Sequence, residues 1–170
     1  MNAEFQSSAL MSPGARQDIR WKSLPVKEIV ISMNIDADKR RVLQALTEPE
    51  YLEAWVSHPD CRHGCMVRAS RIARSYRIDF VYDEMLASSI SGSFRMLESD
   101  KLLLTWRRFG VCEEAQSVVN ILLQEGGGCS LLELRHIGLP SWAEYEWHEK
   151  LWGASLRNFS QLFRGGLSAL

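Results

Sequence analysis

Apolar and polar residues alternate from Val26 to Ile35, with Ile29, Ile31, Met33 and Ile35 on one parity. A period of two predicts a half-buried strand. Asp38 is placed to cap a short helix that buries Val42, Ala45 and Leu46. Thr47-Glu48-Pro49-Glu50 predicts a second short helix, with Thr47 as its cap and Glu50 reaching back, ending near Trp55 before His58-Pro59. Alternation then returns in Tyr76, Ile78, Phe80 and Tyr82, in Ile90, Gly92, Phe94 and Met96, and in Leu102, Leu104 and Trp106. Val119, Ile121 and Leu123 form a further run, and Gly126-Gly127-Gly128 predicts a hairpin turn from it into Leu132, Leu134 and His136. After Pro140 the period changes. His148, Trp152, Leu156, Phe159 and Phe163 recur every three or four residues, with Tyr145 and Leu162 beside them. That stripe predicts a helix of roughly 35 Å, capped by Ser141 with Glu144 three residues on and stopped by Gly165-Gly166.

One strand, two short helices, a run of antiparallel strands and one long helix make an α+β domain. A single helix cannot cover both faces of such a sheet, so the sheet must curl around it. A curled sheet can leave a cavity beneath the helix. The ordered domain is expected over residues 25–166. Residues 1–24 lack either period and read as a loosely docked or flexible extension, and 167–170 as a tail.

Composition narrows the function classes. A chain of 170 residues with 46% hydrophobic and 24% charged residues suits one soluble globular domain. The formal net charge of −1 gives no overall field for nucleic acid. No run approaches the roughly 20 apolar residues of a membrane span, and Met1 to Gly14 lacks the pattern of a signal peptide. A cytoplasmic setting is the resulting expectation, with Cys61, Cys65, Cys112 and Cys129 as thiols and no cofactor.

Several residues could carry chemistry. Trp55, Phe80, Phe94, Trp106 and Trp152, with Leu156 on the helix stripe, stand open between lining a pocket and filling a core. His136 shares its face with Leu132 and Leu134. It could orient a ligand or act as acid or base, but a buried histidine bonded to a nearby oxygen is the favoured reading. His148 could meet the same space from the helix, yet no nucleophile, base and orienter spacing accompanies the two, and no catalytic residue is assigned. His58, Cys61, His63 and Cys65 place four soft donors in eight positions, but the spacing lacks a tight knuckle and a plain, metal-free loop is expected. Arg68, Arg71, Arg74 and Arg77 could meet an acidic partner. Their spacing of three sends them to alternate faces of a strand, which favours solvated surface charge.

Ile35-Asp36-Ala37-Asp38, Val42, Ala45 to Glu50, Leu52 and Trp55 together resemble the opening of the START-like superfamily, also called Bet v 1-like or SRPBCC. Within it, they resemble the branch of Hsp90-ATPase-activator homologues. Gly92 followed by Leu102 to Trp106 resembles that branch's central strands. Gly126 to Gly128, Leu132 to His136 and Gly138-Leu139-Pro140 resemble its closing hairpin, and Trp152 and Leu156 its last helix. One departure is Ile72-Ala73-Arg74, where the family often has a Gly-Gly pair. The resemblance implies a helix-grip fold, with the sheet wrapped around the C-terminal helix. It spans lipid and hormone binders, cyclases, toxin-sequestering proteins and co-chaperone domains. The combined reading is a binding protein for an apolar or amphipathic small molecule, with Trp55, Phe80, Phe94, Trp106, His136, His148, Trp152 and Leu156 around the pocket. A cyclase- or hydrolase-like enzyme and a chaperone-binding domain are the alternatives, and a homodimer is a further open partner.

Overall fold

The structure, a computed structural model, describes residues 27–60, 65–70, 74–82, 85–109 and 116–164. The expectations for the N-terminal extension, the C-terminal tail, Gly165-Gly166, Cys61, His63, Cys112, Arg71 and Ile72-Ala73 lie outside the described residues.

The chain begins with β1 (Lys27–Ile35), continues through α1 (Lys39–Thr47) and α2 (Pro49–Trp55), and enters β2 (Cys65–Ser70). Then come β3 (Ser75–Tyr82), β4 (Met85–Leu97), β5 (Lys101–Phe109), β6 (Gln116–Gly126), β7 (Cys129–Leu139) and α3 (Trp142–Arg164). All strands are antiparallel neighbours in one curved sheet, ordered β1-β7-β6-β5-β4-β3-β2. The two short helices thus carry the chain from one edge of the sheet to the other, and a meander brings it back beside β1. This is the α+β architecture that the hydrophobic pattern predicts, and the helix-grip fold that the family resemblance implies.

Alternation sets the inward face. Ile29 and Ile35 of β1, Ile78 and Phe80 of β3, and Ile90 and Phe94 of β4 are buried. So are Leu102, Leu104 and Trp106 of β5, Val119, Ile121 and Leu123 of β6, and Leu132, Leu134 and His136 of β7. On α3, His148, Leu151, Trp152, Ser155, Leu156, Phe159 and Phe163 form the buried stripe. Asp38 caps α1 by accepting from the Arg41 amide at 2.9 Å, and Ser141 caps α3 by accepting from the Glu144 amide at 3.2 Å. The hairpin between β6 and β7 turns through Gly127 and Gly128, at φ +64 and +82, which side-chain-bearing residues rarely adopt.

Three expectations are corrected. Thr47 does not cap α2: it ends α1, its hydroxyl donating to the Leu43 carbonyl at 2.9 Å. Pro49 pushes the residue before it into an extended conformation, so Glu48, at φ −93 and ψ 133, takes the cap position, its carboxylate accepting from Gln44 Nε2 at 2.9 Å rather than capping an α2 amide. Second, β2 is a strand that the pattern left unread. Its inward set is only Cys65, Val67 and Ala69, while Met66 faces outward and is 50% exposed. Third, Arg68 and Arg77 do not scatter to opposite faces. The hairpin register makes them direct cross-strand partners, because residues of one spacing on two strands meet whenever the turn between them has the right length.

Gly92 also has a role different from that of an inward small residue. A Cβ there would collide with the Thr105 carbonyl oxygen and lie 2.6 Å from the Tyr76 hydroxyl. The missing side chain lets Tyr76 cross β4 and donate to the Thr105 carbonyl at 2.6 Å. Glycine here is a close-approach device in the sheet.

Candidate functional site

The polar centre of the concave face is a pair of histidines from different elements. Parity along β7 points His136 inward, and the stripe of α3 brings His148 down onto it. Their ring centroids lie 4.7 Å apart, nearly perpendicular. Each is at most 2% exposed.

Tryptophan fixes where their protons are. An indole N–H can only donate, so a histidine nitrogen facing it must be unprotonated. Trp152 Nε1 donates to His136 Nδ1 at 3.0 Å, and Trp106 Nε1 donates to His148 Nε2 at 3.0 Å. His136 therefore carries its proton on Nε2 and donates to Ser117 Oγ at 2.7 Å; Ser117 donates onward to the Trp106 carbonyl at 3.2 Å. His148 carries its proton on Nδ1 and donates to the Glu144 carbonyl at 2.7 Å.

Both rings are neutral. Burial, with the neighbouring His148 adding to it, lowers the His136 pKa to about 2. Burial lowers that of His148 to about 4, against the opposing bond to the Glu144 carbonyl, with Arg108 and His58 lowering it further. The Glu144 carboxylate 3.6 Å from His148 Nδ1 is thus no ion-pair partner at neutral pH. It pairs instead with Arg108 at 2.7 Å.

The Ser117–His136 contact has the length of a nucleophile and its base, but the proton sits the wrong way round. A base must present an unprotonated nitrogen to the hydroxyl, with its other nitrogen donating to an acceptor. Here Trp152 donates to that other nitrogen, so His136 offers Ser117 a proton instead of taking one. The pair is a satisfied buried network of the kind that specifies a core.

Around it lies a second polar group. Arg108 sits over the Trp147 ring at 3.9 Å and donates to Ser88 Oγ at 3.1 Å. On the same indole His58 stacks at 4.6 Å, and its Nδ1 accepts from the Asp60 amide at 3.2 Å. Burial lowers the His58 pKa, ahead of the raising effect of Asp60. Cys65, the other described residue of the loop with four soft donors, donates its thiol to the Val56 carbonyl at 3.1 Å. Among the described residues no cluster of His, Cys, Asp and Glu could hold a metal.

Beside the histidines is a cavity of about 40 Å³. Trp55, Phe94, Trp106 and Trp152 line it, with Leu52, Ile121 and other apolar residues. Phe80, His136, His148 and Leu156 are buried but do not reach it. The cavity offers a ligand few polar groups. Trp106 and Trp152 turn their N–H groups to the histidines, the Trp55 N–H donates to the Ala45 carbonyl at 2.9 Å, and Tyr76 is committed to Thr105.

Ser117, Arg108 and Trp147 do not stand out in the sequence, and Tyr76 and Glu144 stand out there only as a strand position and a capping-box residue, not as parts of a site. Ser117 shares parity with Val119, and Glu144 stands one turn before His148, so both positions were readable. Their bonds to residues many positions away were not.

The profile of the family described as activator of Hsp90 ATPase homolog 1-like protein matches residues 36–164. The chain belongs to this family. Among solved structures, a Chromobacterium violaceum protein is similar over 80% of this chain and 96% of its own, at 19% identity and a TM-score of 0.70. The AHSA1 protein of Silicibacter pomeroyi is similar over 84% of this chain and 100% of its own, at 18% identity and a TM-score of 0.66. CalU16 from Micromonospora echinospora is similar over 85% and 80%, at 22% identity and a TM-score of 0.54. Likeness at these identities carries the fold alone. No curated protein matches the chain. Membership in the Hsp90-activator-homologue family supports a ligand-binding or co-chaperone-like domain, and no helix among the described residues is long and apolar enough to cross a membrane.

Proposed function

We propose that this protein is a cytoplasmic binding protein that takes an apolar or amphipathic small molecule between the sheet and α3. The observation that carries this reading is the apolar cavity under Trp152, whose aromatic walls keep their polar atoms turned away. At about 40 Å³ it is far below the 300–1,000 Å³ or so of ordinary ligand sites. It therefore admits a few heavy atoms as it stands, and a larger ligand requires its α1–α2 wall to move outward. That wall is the short one: Leu46 lies in the last turn of α1, and Leu52, Trp55 and Val56 belong to α2 and its end. Burial of apolar surface supplies the affinity, at about 25 cal/mol per Å² before the cost of association.

Native mass spectrometry of freshly purified protein, together with uptake of an environment-sensitive apolar dye, tests the proposal. A co-purified apolar molecule or saturable dye uptake, abolished by the cavity-filling change Ile121→Phe in a variant that stays folded, supports it. Absence of both in the folded wild-type protein overturns it.

The smallness of the cavity favours one other reading, a chaperone-binding domain of the kind the family description names. Stimulation of a purified Hsp90-type ATPase by this protein, without dye uptake, is the outcome that selects it.

A further inference from the structure

The walls of the inner cavity differ in how they are held. Most belong to β3 to β6, each paired with a neighbour on both sides, or to Trp152 of the 23-residue α3. Leu52, Trp55 and Val56 instead come from α2 and its end. A helix of seven residues is too short to persist on its own in water, so its contacts keep it in place. Both of its junctions are extended, Glu48 at φ −93 and ψ 133 and Val56 at φ −69 and ψ 122. Torsion changes at such element ends turn a segment as a unit.

Side chains tie α2 to its surroundings. At the Glu48 end, Pro49 has no N–H to offer the Ala45 carbonyl four residues before it. The Trp55 indole donates to that carbonyl at 2.9 Å and so sets the angle between α1 and α2. Toward the sheet, the Glu53 carboxylate accepts from the Val67 amide of the edge strand β2 at 2.8 Å. At the far end α3 clasps Ser57. The Ser57 amide donates to Ser155 Oγ at 3.0 Å, and that hydroxyl donates to the Ser57 carbonyl at 3.0 Å. Asn158 Nδ2 donates to Ser57 Oγ at 3.0 Å and to the Trp55 carbonyl at 3.4 Å. Water can replace the partner in each of these bonds, so releasing them costs far less than parting the sheet.

We propose that α2 is the lid of the inner cavity, turning at Glu48 and latched to α3 through Ser155 and Asn158, so that the latch controls entry of the apolar ligand. The inference rests on the binding reading above and names the gate to that site.

The test is amide hydrogen exchange of the full chain without ligand, followed by the rate of toluene entry. The Val56 amide donates to the Leu52 carbonyl within the lid, and the Val67 amide reports the lid from β2 through Glu53. Both should exchange about a hundredfold or more faster than Ile121 in the sheet interior, through one common opening. Ser155→Ala/Asn158→Ala should speed both by about tenfold or more beyond any change at Ile121. Toluene entry, read from exchange broadening of the Ile121 methyls, should rise by a similar factor. Asn158→Ala alone serves if the double variant does not fold. Val56 and Val67 exchanging as slowly as Ile121, or unchanged in the latch variant, would make α2 a fixed wall and overturn the proposal. Faster exchange with toluene entry unchanged overturns its role as the gate. Failure of toluene to bind at all overturns the binding reading instead, and the exchange rates then still decide whether α2 opens.

Discussion

Trp152→Phe isolates the bond that sets the state of the histidine pair. The change keeps an aromatic ring but removes the indole N–H that donates to His136 Nδ1 at 3.0 Å. That nitrogen is fully buried, so leaving it unpaired costs about 1–3 kcal/mol. The lost second ring enlarges a cavity already of about 40 Å³, which adds about 1–2 kcal/mol. The sum is about 3 kcal/mol, a fall in Tm of about 6–12 °C for a domain of this size. Urea denaturation of Trp152→Phe, His136→Leu and the double variant measures it. Each single change leaves one buried nitrogen unpaired, the imidazole Nδ1 or the indole N–H, whereas the double variant leaves neither, so it should be more stable than the sum of the single changes predicts, by about 1 kcal/mol or more. Strict additivity of the two changes would refute the assigned bond, and with it the tautomer argument that sets His136 against Ser117.

Gly92→Ala should destabilise the protein by more than about 3 kcal/mol or prevent folding, because its Cβ meets the Thr105 backbone; a thermal melt within a few degrees of the wild type contradicts this. Because His136 and His148 have pKa values lowered from 6.5 to about 2 and about 4, the unfolded chain binds more protons below pH 6.5. Their contribution to stability is complete above about pH 6.5 and is lost as pH falls, each histidine costing about 1.4 kcal/mol per unit until its folded pKa is reached. Urea midpoints at pH 7, 6 and 5 should therefore fall, and a flat profile would show that the rings are not held neutral. Glu144→Gln leaves the Arg108 charge inside without its 2.7 Å partner and should cost about 3 kcal/mol, with part of the loss recovered in Arg108→Met/Glu144→Leu, as chemical denaturation will report.

The fold was legible because its signals are local: the parity of β1 and β3 to β7, the Asp38 and Ser141 caps, and the stripe from His148 to Phe163 each follow from neighbours in sequence. β2 escaped because an edge strand with only Cys65, Val67 and Ala69 facing inward leaves little apolar contrast. Thr47 misled because two helices abut at Pro49, and the proline shifts the cap by one residue. The candidate site was half legible. Parity and helical spacing were enough to bring His136, His148, Trp106 and Trp152 together. Their protonation was not readable, since it depends on indole donors from β5 and α3 reaching across the interior. Cavity volume was also beyond reach, because it is a small remainder after large side chains pack. The pairing of Arg68 with Arg77 lay outside linear spacing because only strand register creates it.

The most direct test of ligand binding beneath α3 is a methyl-resonance titration with toluene, an apolar probe without hydrogen-bonding groups. Saturable shifts confined to methyls of the cavity wall, including Leu52, Leu104, Val119 and Ile121, are predicted, together with their loss in Ile121→Phe. Unshifted wall methyls in folded protein, up to the solubility of toluene, would contradict the account.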